Sequence, residues 1–149
     1  MLSLAITAGT ISYHLLYVMW WQVLFNRVMQ NRADLSKTWY QQRTWEEKLY
    51  KKLHVKKWKS KMPTYEPENF DLRIHTPEEI AGAMCQAELS HEVIVIFSFL
   101  PLLTVPAFGA FWVFLITSVL SAMMDLSFAI MQRYNRPRIM KLCKRRKKN

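Results

Sequence analysis

The sequence predicts an all-α integral membrane protein of about three transmembrane helices, with one basic amphipathic helix lying along the membrane surface. Three observations carry that prediction. Of 149 residues 51% are hydrophobic, yet the chain bears a net charge of +10, so apolar and charged residues are segregated. All 21 Lys and Arg fall into two blocks, twelve from Arg27 to Arg73 and nine from Arg133 to Lys148. Before and between those blocks run apolar stretches long enough to cross a bilayer, for which roughly 20 residues suffice. The length fits a single membrane domain over residues 1–149.

The first span is expected over residues 1–25, retained because it lacks the basic start of a cleavable signal peptide. His14 falls near its middle, where an ionisable group is costly unless it faces protein or water. A neutral imidazole bonded to a neighbouring helix is the simplest expectation. Gln22 and Asn26 lie at the charged end. Residues 27–75 form a surface segment, in which Trp45, Leu49, Leu53, Trp58 and Met62 recur near helical spacing with lysines on the other face. That pattern describes a helix lying on an anionic bilayer. Basic residues with interleaved aromatics also occur in nucleic-acid binders, but the flanking spans argue against nucleic acid as a partner. Thr64 to His75 reads as an extended connector, since Pro63 and Pro67 restrict the backbone.

Thr76, Pro77 and Glu79 spell a helix start, with Thr as the cap, Pro at the first helical position and Glu closing a capping box. The second span is placed at 77–103 and the third at 107–132, with Pro101, Pro106 and Gly109 breaking the run between them. Pro137 is expected to end the third helix at Arg136, leaving 133–149 as a basic tail. Because Lys and Arg are retained in the cytoplasm, the expected topology is multi-pass in the cell membrane, with the N-terminus outside and the C-terminus inside. Glu88, His91, Glu92 and Asp125 then lie at similar depth beneath the inner face, where each would be costly against lipid.

Several chemistries are excluded by absence of their patterns: no HxxxxD, no HExxH, no GxSxG, and no Gly-rich phosphate loop in a chain with three glycines. Cys85 and Cys143 match no disulfide or zinc spacing. What remains is Glu88-x-x-His91. A metal would need further carboxylates and a second such motif, whereas a histidine base oriented by a carboxylate needs only these residues. The stretch Gln132 to Arg138, QRYNRPR, adds donors suited to phosphate or an oxyanion, and fixing topology alone requires neither its Tyr134 nor its Asn135.

Three blocks, YKKLHVKKWKSKMP (Tyr50 to Pro63), EEIAGAMCQAELSH (Glu78 to His91) and QRYNRPR, resemble in order and approximate separation the glycosyl-4,4'-diaponeurosporenoate acyltransferase family. The family pattern has Asn seven residues before the Gln of QRYNRPR and Pro two beyond that Asn; here Asp125 and Ser127 occupy those places, changing the charge of the pocket. The resemblance implies a membrane acyltransferase that moves a fatty acyl group to a hydroxyl of a glycosylated lipid or carotenoid. Acyl-CoA or a similar donor would be the co-substrate, with no resident cofactor and no metal. The expected catalytic group is His91 oriented by Glu88, with Asp125 beside them. Glu92, Gln132, Arg133, Tyr134, Asn135, Arg136, Lys57 and Lys59 are the expected substrate-binding residues. Two other readings stay open: a non-catalytic membrane subunit binding anionic lipid or a partner protein, and a metal-dependent membrane hydrolase using the ExxH pair. Three helices enclose little volume, so a homo-oligomer is one way to complete a lipid-sized pocket.

Overall fold

The computed structural model describes residues 2–64 and 67–146, and within them every regular element is helical. The first helix, α1, spans Leu2–Met29. It stops where Gln30 and Asn31 both take positive φ, 48° and 58°, a conformation that asparagine tolerates better than most residues. The turn lies directly on a later helix: a Cβ at Gly82 would come within 2.3 Å of the Asn31 carbonyl oxygen, so only glycine fits there. Gln86 secures the same junction, accepting from the Asn31 backbone N–H at 2.7 Å and donating to Asn26 at 2.7 Å.

The expected surface helix is broken in two. α2 spans Thr44–Lys52 and α3 spans Val55–Trp58, separated by His54 at φ 51°. Glu46, Tyr50 and Val55 point into the protein, whereas Trp45, 53% exposed, and Leu53, 41% exposed, face outward. An ion pair with a distant helix, described below, holds the inward face of α2. The connector before residue 76 is likewise not fully extended, since Pro67–Phe70 forms a single 3-10 turn; Tyr65 and Glu66 lie outside the described residues.

α4 spans Pro77–Phe97 and begins with the anticipated capping box: the Thr76 hydroxyl accepts from the Glu79 N–H at 3.3 Å, and the Glu79 carboxylate accepts from the Thr76 N–H at 2.8 Å. Beyond it come a 3-10 stretch, Leu100–Thr104, and the short α5, Val105–Phe108, before Gly109 turns the chain at φ 73°. α6 then runs unbroken from Phe111 to Arg146, 36 residues. Pro137 therefore does not end it, and residues 133–146 are helix rather than a loose tail; Lys147 to Asn149 lie outside the described residues. A proline inside a helix costs roughly 3 kcal/mol, so packing must offset it. The buried arginine contacts of Arg133 and Arg136, on either side of one turn, provide that packing.

Two segments are long and apolar enough to cross a membrane, Pro77–Phe108 and Phe111–Arg146. α1, the first of the three expected spans, is 28 residues long and is not among the segments that meet that measure within the described residues. Only 17% and 28% of the two apolar windows are buried, unlike the core helix of a soluble protein. Ile96, Trp112, Leu120 and Met123 are each more than 60% exposed, an extent of apolar surface suited to lipid or a partner.

Candidate functional site

α4 and α6 form the most extensively packed pair in the molecule, and two polar constellations lie along their contact. The first is a buried ion cluster. Glu88 on α4 is fully buried and takes both Arg133, through one carboxylate oxygen, and Arg136, through the other. Arg133 also reaches Glu46 on α2 through Nε and Nη2, at 3.0 and 2.8 Å, and donates to the backbone carbonyls of Trp39 and Gln41 at 2.9 and 3.2 Å. Arg136 donates in addition to the carbonyl of Tyr40 and lies 5.5 Å from its ring. Tyr50 completes the cluster, donating to the second oxygen of Glu46 at 2.9 Å. Burial pushes the Glu46 carboxyl pKa up, but hydrogen bonds from Arg133 and Tyr50 outweigh that and hold it below its ordinary value.

The second constellation is a histidine–aspartate pair. His91 Nδ1 lies 2.8 Å from Asp125 Oδ1, and its ring stacks on Phe128 with centroids 4.9 Å apart at 14°. An ionised carboxylate only accepts, so with Asp125 in that form the contact calls for N–H at Nδ1, and a neutral ring then has its lone pair at Nε2. Both residues line a cavity of about 770 Å³ between α1, α4 and α6. Its remaining wall is mainly apolar, including Ile11, Leu15, Val18, Leu120 and Met124, with His14, Gln22 and Gln132 as further polar members.

The structure pairs several of the expected residues differently from the sequence-based expectation. Glu88 does not orient His91, although three residues separate them on one helix; Glu88 turns to the two arginines and His91 turns to Asp125. Charge-assisted bonds to two guanidinium groups are stronger than one bond to a neutral imidazole, which decides the competition. Arg133 and Arg136 are committed to internal carboxylates and carbonyls rather than pointing toward the cavity. Glu92 accepts from the Trp39 indole at 3.0 Å. Lys59 donates to Asn135 and lies 4.8 Å above the Tyr134 ring, with Arg138 5.4 Å from that ring. Burial, then the charges of Arg138 and Lys56, lower the Lys59 pKa. Lys57 is exposed on α3. Glu46 and Tyr50 were not anticipated, although their i, i+4 spacing was visible as a possible pair.

Fold and site together define a small all-helical protein with two helices apolar enough to span a bilayer and an acid–base pair held in a largely apolar cavity. Residues 36–145 match the glycosyl-4,4'-diaponeurosporenoate acyltransferase family, and the chain belongs to that family. The matched region contains both constellations and leaves out the whole of α1. Neither a curated protein nor a solved structure matches the chain. The family name is that of an acyltransferase of carotenoid biosynthesis.

Proposed function

We propose that the protein is a membrane acyltransferase that moves a fatty acyl group from an acyl thioester to a hydroxyl of a glycosylated lipid or carotenoid, using His91 as general base. The observation that carries this reading is the 2.8 Å His91–Asp125 pair inside the apolar cavity. Asp125 fixes the tautomer and stabilises the imidazolium, so Nε2 can take the acceptor's hydroxyl proton. The acceptor oxygen then bonds to the thioester carbon, and the proton leaves with the thiolate as the carbon–sulfur bond breaks. The cavity wall of Leu15, Val18, Leu120 and Met124 suits an acyl or polyene chain. Lys59 and Arg138, close together over Tyr134 and without an acidic partner among the described residues, suit the donor's phosphates at the cytoplasmic face.

In this reading α4 and α6 cross the membrane with the C-terminus inside, as the basic blocks direct. The ion cluster is structural: it clamps α2 and the Thr38–Tyr40 turn to the α4–α6 pair. The test is transfer of a labelled acyl group from its CoA thioester to a glycosylated carotenoid by purified protein in detergent. Transfer by the natural protein and its loss in His91→Ala support the reading; full transfer by that variant overturns it.

A further inference from the structure

α1 buries two polar residues, Thr10 and His14, and the mechanism above uses neither. Thr10 is satisfied by the Ile6 carbonyl at 2.7 Å, whereas His14 is 8% exposed, lines the cavity, and has no hydrogen-bond partner for either ring nitrogen among the described residues. The sequence led to the opposite expectation, a histidine satisfied by a neighbouring helix. An unpartnered buried imidazole is costly, and Asp125, the acid of the same cavity, gives one carboxylate oxygen to His91. The negative oxygen of the tetrahedral intermediate needs a hydrogen-bond donor in the cavity, where the His14 ring joins the amides of Gln22 and Gln132 and the arginines do not reach. The guanidinium groups of Arg133 and Arg136 are bound to Glu46 and Glu88, and neither arginine lines the cavity.

We propose that His14 is a catalytic residue whose ring N–H donates to the carbonyl oxygen of the acyl group and to the oxyanion that replaces it. This rests on the acyl-transfer reading. The cavity then works from two sides. On the α4–α6 side, His91 Nε2 takes the proton from the attacking hydroxyl. On the α1 side, the carbon–oxygen π pair moves onto the carbonyl oxygen and is held by the His14 N–H. When the intermediate collapses, that pair re-forms the carbonyl, the carbon–sulfur bond breaks, and the thiolate takes the proton from His91. The assignment also gives α1 a purpose in the reaction.

The experiment compares full-length natural protein with His14→Phe, which keeps a ring but no N–H, and His14→Gln, which keeps an amide donor. Loss of one such donor costs about 10²- to 10³-fold in kcat, so His14→Phe is expected to fall by that factor. KM should stay within about threefold, the signature of an interaction made in the transition state. His14→Gln should recover at least tenfold over His14→Phe, an outcome expected on the same reasoning. A second readout uses a trifluoromethyl ketone bearing the same acyl chain, which forms an oxyanion-like adduct. It should inhibit the natural protein more strongly than the matching alkane, and His14→Phe should erase that preference. Unchanged kcat and an unchanged ketone preference in His14→Phe overturn the proposal while leaving the His91 reading intact. So does a loss of cooperative melting in both variants, which would make His14 a packing residue. Absence of transfer by the natural protein, by contrast, removes the reaction itself.

Discussion

Glu88 and His91 stand one turn apart on α4 yet occupy opposite environments. Glu88 is fully buried, and both its oxygens are taken by arginines. His91 has one nitrogen paired with Asp125 and borders an open-sided cavity. A polar group saturated by internal partners cannot meet a substrate without breaking something, whereas one held by a single bond is oriented and still available. The first arrangement holds helices in register; the second is suited to moving a proton. Spacing along the chain gives no hint of the division, because a helix turn sends neighbouring residues toward different partners.

Substitutions can test that division, beginning with the largest effect. His91→Ala should reduce acyl transfer by about 10²- to 10⁴-fold while the melting temperature falls less than in Glu88→Ala, as activity and thermal unfolding measured on one preparation would show. Glu88→Ala should do the reverse: it leaves buried Arg136 without a carboxylate and Arg133 with Glu46 alone, destabilising the fold by about 3–5 kcal/mol. A melting temperature equal to that of the natural protein would contradict the structural role given to the cluster. A smaller effect is expected from Asp125→Asn, whose amide oxygen still accepts from Nδ1 but carries no charge. Transfer should drop about 10- to 100-fold, equivalent to about 1.4–2.7 kcal/mol, and an Asp125→Ala variant should fall further.

The mildest probe is pH. Glu46 has its carboxyl pKa held below the ordinary value, so its contribution to stability is full above that ordinary value. It is lost as pH falls through the lowered one. Acidification should therefore release α2 before the α4–α6 pair melts. The fluorescence of Trp39 and Trp45, which flank the docking site, should change in a first step, and Glu46→Gln should abolish that step. One concerted transition in the natural protein would mean that α2 docking does not depend on the Glu46 carboxylate.

Much of this was legible in the chain itself. The capping box at Thr76, the break at Gly109 and the helical class rest on local signals, which persist whatever the tertiary context. His91 and Asp125 were singled out because ionisable groups are rare in apolar stretches. The partners were not legible, because pairing depends on which way each helix face turns. Glu46, one of several acids in a lysine-rich segment, had nothing to mark it as buried. Pro137 misled because its local preference to end a helix was overridden by the contacts of Arg133 and Arg136. The inward face of α2 was not legible for a related reason: it is held by an ion pair across 87 residues.

The wiring of the ion cluster also bears on how the polypeptide is made. Glu46 and Glu88 emerge from the ribosome well before Arg133 and Arg136, their only guanidinium partners among the described residues. Until the last helix is synthesised, Glu88 has no countercharge on its own hydrophobic segment. Chains truncated ahead of residue 133 would therefore bury Glu88 without either arginine that neutralises it.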